Sequence, residues 1–164
     1  MERRIAWDIL DAQEGNGPVP LLDGEASATL LGAARRIALV GASSNPDRPS
    51  HGVMRYLLEQ GYEVVPVNPI ADQVLGLTSY ATLEAAAAAT GPFSIVDVFR
   101  RPEHTPDIAR SAVATGARAL WLQLGVVNWE AAQIAHDAGL AVVMDRCTAI
   151  EHRRLRFRGA AGGR

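Results

Sequence analysis

Ile37-Ala-Leu-Val-Gly-Ala-Ser-Ser-Asn-Pro-Asp-Arg-Pro-Ser50 joins a short apolar run to a glycine-led polar loop. After Ser50, Val53, Met54, Leu57 and Leu58 fall on one face of a helix, and Gly61 supplies its stop. The order strand, tight turn, helix then recurs along the chain. Apolar runs at Ile37–Val40, Tyr62–Val67, Phe93–Phe99, Ala117–Leu124 and Leu140–Met144 are predicted as strands. Ala85–Ala89, Pro106–Thr115 and Asn128–Ala138 are predicted as helices, the last two ended by Gly116 and Gly139. Each strand is too continuously apolar to have one wet face. That points to a parallel sheet with crossover helices on both sides: a doubly wound, five-stranded α/β domain. Ligands of such sheets bind beyond the carboxyl ends of the strands, near the switch in strand order. Function is therefore expected in the loops after Val40, Val67, Phe99 and Leu124.

Composition narrows the classes. The chain has 164 residues, a formal net charge of −2, 48% hydrophobic and 21% charged residues, the balance of one globular domain with a core of its own. That charge supplies no basic field for nucleic acid, and no stretch approaches the roughly 20 apolar residues that cross a bilayer. The start, MERRIAWDILDAQEG, carries charges where a signal peptide is apolar, so a cytoplasmic protein without nucleic-acid or membrane partners is expected. There is no Lys, which removes Schiff-base and Walker-lysine chemistry. The single cysteine, Cys147, has no intramolecular disulfide partner.

The ends are read separately. Residues 1–25 form an N-terminal extension in which Ile5, Ile9 and Leu10 suit a short amphipathic helix, interrupted by Gly15, Gly17, Pro18 and Pro20. Ala26–Ala34 is predicted as a helix leading into the first strand. The domain proper is placed at 26–155, and 156–164 is read as a flexible Arg/Gly tail. Arg153, Arg154, Arg156 and Arg158 form a basic cluster, whose simplest reading is a solvated face.

Gly41, Ala42, Ser43, Ser44 and Asn45 follow the first strand. A glycine there permits a tight turn, small residues let backbone N–H groups approach an anion, and the next helix adds its N-terminal dipole. Arg48 adds positive charge, while Pro49 and Ser50 open the helix, Ser50 being also a candidate N-cap. The loop lacks both G-x-G-x-x-G and the Walker pattern. The second strand ends Val67-Asn68-Pro69, without the Asp or Glu that holds the ribose of NAD; a plain turn is the alternative role for Asn68-Pro69. Phe99, Arg100 and Arg101 follow the third strand, where the guanidinium groups can meet phosphate or, alternatively, pair with Asp97. Gln123, Leu124 and Gly125 follow the fourth, where an extended ligand chain can lie against backbone. Cys147 follows the fifth, and Arg146 beside it favours the thiolate; a buried inert thiol is the competing reading.

No catalytic set stands out. His51, His104, His136 and His152 lack metal-ligand spacing, and there is no G-x-S-x-G elbow. Glu151 and His152 are adjacent and of acid/base type, though such neighbours are usually structural.

Taken together, Ile37–Ser43, Asp47–Ser50, Val64–Pro69, Ile95–Arg101, Trp121–Gly125, Met144–Cys147 and Glu151-His152 resemble the small bacterial CoA-binding proteins. Their domain is similar to the nucleotide-binding part of the succinyl-CoA synthetase α subunit, and the matching segments span about residues 27 to 155. The resemblance implies a Rossmann-like CoA-binding domain, with Gly41–Asn45 near the phosphates, Val67–Pro69 and Phe99–Arg101 near the adenosine phosphate end, and Gln123–Gly125 along the pantetheine arm. The ligase's phosphate-carrying histidine belongs to a separate domain. Non-catalytic binding of CoA or an acyl-CoA is accordingly the expected function, and a homo-oligomer is left open. Two alternatives compete: an NAD(P)-binding oxidoreductase or redox sensor on the same topology, and a regulatory subunit of an acyl-CoA ligase.

If the CoA thiol reaches the edge of the fifth strand, Cys147 forms a mixed disulfide with it under oxidation. Intact mass after diamide and CoA is expected to rise by one CoA and fall back with reductant; an unchanged mass makes Cys147 the inert thiol.

Overall fold

In the computed structural model, which describes residues 12 and 14–161, every strand of the main sheet runs parallel to its neighbours. In chain order the elements are α1 (Gly24–Ala33), β1 (Arg36–Val40), α2 (Pro49–Glu59), β2 (Glu63–Val67), β3 (Gln73–Val74), β4 (Leu77–Thr78), α3 (Leu83–Thr90), β5 (Ile95–Val98), α4 (Thr105–Ala114), β6 (Ala119–Leu122), α5 (Trp129–Asp137), β7 (Ala141–Val143) and α6 (Thr148–Ala161). A 3₁₀ turn at Pro102–His104 precedes α4. The sheet order is β2-β1-β5-β6-β7. This is the doubly wound Rossmann-like arrangement, with its switch point between β1 and β5.

Alternation along the strands builds two cores. Ala38, Val40, Val65, Val67, Val96, Val98, Leu120 and Leu122 face α3, α4 and α5, whose contact residues are mostly alanines such as Ala86, Ala109, Ala112 and Ala131. Small side chains let these helices lie close to the sheet. Ile37, Leu39, Val64, Ile95, Trp121 and Val143 pack on the opposite face with Leu31 of α1 and Met54 and Leu57 of α2. The last helix, α6, packs on α1 and α2. One residue departs from this apolar rule: Asp97, in the middle strand on the second face, is fully buried.

Capping accounts for several boundaries. Asp23, Thr82 and Asn128 each accept a hydrogen bond from a backbone N–H in the first turn of α1, α3 and α5. Ser50, a candidate cap, is instead a buried residue inside α2; Arg48 holds the cap position without a side-chain hydrogen bond, because Pro49 already begins the helix.

The sequence reading misses the β3–β4 hairpin, whose two-residue strands are too short to show a period. Its turn residues Leu75 and Gly76 both have positive φ. The predicted helix at Ile5–Leu10 lies outside the described residues. The lead-in helix begins at Gly24, and before it Val19 is buried in the first core while the Leu22 N–H donates to Val142 O. At the other end α6 runs to Ala161, taking in residues 156–161 that the sequence reading gave to the tail. Among the described residues no helix is long and apolar enough to cross a membrane.

Candidate functional site

The carboxyl ends of β1, β2, β5 and β6 open onto one cleft of about 840 Å³. Gly41, Ala42, Ser43, Arg48, Pro49 and Ser50 line it from the first loop, Asn68 and Pro69 from the second, Phe99, Arg100 and Arg101 from the third, and Gln123, Leu124 and Gly125 from the fourth; Cys147 completes the wall. Four loops spread over more than 80 residues of sequence thus meet where the strand order reverses. Ser44 and Asn45 are exposed and outside this lining. Val67 lines a neighbouring cavity of about 330 Å³ with Thr82, His104 and Ile108, none of which the loop pattern singled out. Pro69 and Arg100 belong to both. A third cavity, about 300 Å³, shares Leu124 and Cys147 with the cleft.

Gly41 sets the shape of the first loop. Its φ is +90°, and a Cβ there would come within 2.5 Å of Phe99 O. Only glycine lets the two loops touch. The Gly41 and Ala42 amides both donate to Val67 O, at 3.0 and 3.3 Å. The amides of Ser43 and Ser44 have no hydrogen-bond partner among the described residues. The unpartnered amides therefore lie two and three residues beyond the glycine, on residues that also carry hydroxyls.

Asn68 is a clamp between loops. Its Nδ2 donates to Ala42 O at 2.7 Å, and its Oδ1 accepts from the amides of Ile70 (2.7 Å) and Ala71 (3.1 Å). The same side chain makes the turn and ties the second loop to the first. A carboxylate in this place would set an oxygen against the Ala42 carbonyl. Ile70 and Leu124 stand largely exposed along the cleft, an apolar lip on the same wall as the arginines.

The arginines differ from one expectation. Asp97 pairs with neither Arg100 nor Arg101: its Oδ1 accepts from Gln123 Nε2 at 2.6 Å and its Oδ2 from Thr148 Oγ1 at 3.0 Å. Burial pushes the Asp97 carboxyl up to about 7, with the two hydrogen bonds pulling the other way. Among the described residues Arg48, Arg100 and Arg101 form no ion pair. Three guanidinium groups without carboxylate partners on one cleft favour a polyanionic ligand.

On the far side, Asp145 takes a positive φ of 56° and its Oδ1 accepts from the Gly125 amide at 2.7 Å, holding the fourth loop against the fifth. Arg146 is turned from Cys147 to Glu151, 3.3 Å away, and its carbonyl accepts from Trp121 Nε1 at 2.8 Å. Cys147 itself is half-buried. Glu151 and His152 do not act on one another. Glu151 pairs with Arg146 and Arg154, whereas His152 Nδ1 lies 2.8 Å from Tyr56 Oη, and burial lowers its pKa, with the Arg156 charge second. Arg153 of the basic cluster lies over the Tyr56 ring.

The loop clamp can be tested apart from any ligand. Asn68→Asp is expected to lower stability by about 1–3 kcal/mol, because it sets a carboxylate oxygen against a carbonyl, read as a lower urea midpoint with an unchanged slope.

Comparison with known proteins agrees with this architecture. Residues 35–153 match the family model described as a CoA binding domain. YneT of Bacillus subtilis is 42% identical over 123 residues, covering 75% of this chain and 89% of that protein. Among solved structures, a Pyrococcus horikoshii protein superposes with a TM-score of 0.77 at 39% identity, covering 82% of this chain and 93% of that one. A Thermus thermophilus protein superposes at 0.74 with 38% identity, covering 82% and 99%. The matched segment contains all five strands of the parallel sheet and every loop of the cleft, and the chain is a member of the CoA binding domain family.

Proposed function

We propose that the chain binds CoA or an acyl-CoA in the cleft at the carboxyl ends of the strands, as a binding protein and not as a catalyst. The observation that carries this reading is the distribution of chemistry along one continuous wall. Sheet order places the loop of Ser43 and Arg48 after β1 beside that of Arg100 and Arg101 after β5, then the Gln123–Gly125 loop after β6, then Cys147 after β7.

CoA has that same order of groups: phosphates, then an amide-containing arm, then a thiol. The donor set fits phosphate oxygens, since guanidinium forks and backbone or hydroxyl donors are the usual partners of such anions. The cleft, about 840 Å³, lies within the size range of sites that enclose a cofactor-sized ligand. The adjoining cavity at Val67, Pro69, Thr82 and His104, about 330 Å³, is the candidate place for the base, and Arg100 lines both cavities. The NAD(P) alternative is weakened by Asn68, whose side chain is committed to Ala42, Ile70 and Ala71 where a ribose-binding acid would be needed.

Calorimetric titration of ligand-stripped protein is expected to show saturable CoA binding and no NADH binding in the same buffer. NADH binding without CoA binding would reverse the assignment. Arg100→Ala or Arg101→Ala is expected to weaken CoA about tenfold while changing dephospho-CoA little, because one charged contact to the 3′-phosphate is lost. Equal losses for the two ligands would remove the 3′-phosphate role.

A further inference from the structure

Gln123 is 4% exposed, yet it lines the cleft. Its Nε2 donates to Asp97 Oδ1 at 2.6 Å and reaches Thr148 Oγ1 at 3.1 Å. Thr148 Oγ1 in turn donates to Asp97 Oδ2 at 3.0 Å, closing a triangle of three side chains from β5, the loop after β6 and the start of α6. This triangle decides which way the amide points. An ionised carboxylate only accepts, so the NH₂ end of Gln123 must face it and the carbonyl end must face away. Gln123 Oε1 accepts no hydrogen bond among the described residues, and it is not one of the side-chain oxygens sealed from solvent without a partner.

We propose that Asp97 and Thr148 are positioning residues that hold Gln123 Oε1 in the cleft as the hydrogen-bond acceptor for an amide N–H of the ligand's arm. This deepens, and rests on, the reading of the ligand as CoA, whose pantetheine arm carries two secondary amides. It also explains an ionisable residue in the middle of an otherwise apolar sheet. Burying a carboxyl is costly unless its hydrogen bonds are made, and here both oxygens are used to orient one side chain at the site.

The carboxyl stands nearly free of other charges. Its registered neighbours, Leu39 on β1 and Trp121 on β6, are uncharged, and α6 reaches it through Thr148. The charges at the start of that helix, Glu151 and Arg154, pair with each other, and Glu151 also pairs with Arg146. The carboxyl titrates near neutrality. Protonated, it is able to donate to Gln123 Oε1, and the amide is free to turn over. Acidification is expected to weaken this pin, and Asp97→Asn, which also carries a donor, imitates it at every pH.

The test compares CoA with adenosine 3′,5′-bisphosphate, which has the nucleotide and no arm, on wild type and Asp97→Asn at pH 8 and pH 6. The preference for CoA over the bisphosphate is expected to be about fivefold greater in wild type than in the variant at pH 8. The two proteins should converge at pH 6. Ionisation of the ligands is common to both proteins and cancels. Unchanged bisphosphate affinity shows that the variant is folded; should it not fold, Thr148→Val removes the same pin and is expected to lower the CoA preference at pH 8. An equal preference for CoA over the bisphosphate in the two proteins at pH 8 overturns the positioning role alone. Failure of wild type to bind either ligand overturns the CoA reading and this inference with it.

Discussion

Phe99 O lies within 2.5 Å of where a Cβ at position 41 would be, too close for any residue but glycine, and the cleft depends on that contact. β1 and β5 are adjacent in the sheet, and the chain leaves them in opposite directions, toward β2 from one and toward β6 from the other. The two loops must diverge from neighbouring strand ends, and a crevice opens between them. How near the loops lie at its floor is set by the backbone of Gly41 against that of Phe99. The Phe99 amide donates to Val40 O, and the Gly41 and Ala42 amides to Val67 O, so three strands are tied together immediately beneath the site. Asn68 extends the tie by one layer through its bond to Ala42 O.

A tied floor matters to the proposed site because the arginines on the cleft are long and flexible. Arg48, Arg100 and Arg101 would lose side-chain entropy on closing around an anion, and loops already tied together would leave only that cost to offset. The same logic explains the buried Asp97. In the middle of the sheet a carboxyl is destabilising by its desolvation alone, and its pKa rises to about 7 as a result. It is accommodated because Gln123 and Thr148 satisfy both oxygens, and the arrangement joins the fourth loop to the first turn of α6. Asp145 makes a second such join, from its strained backbone to Gly125. Polar residues in this fold act mostly as ties between loops that the strands alone would leave independent.

The five strands, their parallel arrangement and the membership of Gly41–Ser43, Arg100, Arg101, Gln123 and Cys147 in one edge were legible in the sequence. Continuous apolar runs with glycine-ended helices between them leave few other folds, and strand ends are local features. The partners of polar side chains were not legible. Chain neighbourhood pairs Asp97 with the adjacent arginines, but strand alternation turns it to the face covered by α6, where Thr148 meets it across 51 residues of sequence. Arg146 adjoins Cys147 in the chain and is held by Glu151 instead. Glu151 and His152, adjacent in the chain, point from one helix into different surroundings. Thr82, His104 and Ile108 entered a cavity beside the cleft only because α3 and α4 bring them there.

The sequence by itself determined the class of fold and the edge on which the glycine, arginine and cysteine loops gather, because both follow from periodicity and from backbone requirements that each residue states locally. Tertiary structure alone decided which amides remain unpartnered, which arginines lack a carboxylate partner, and which way the Gln123 amide faces. Those are pairings between residues distant in the chain, and a hydrogen bond or an ion pair is specified by distance and direction in space, which no spacing along the sequence encodes.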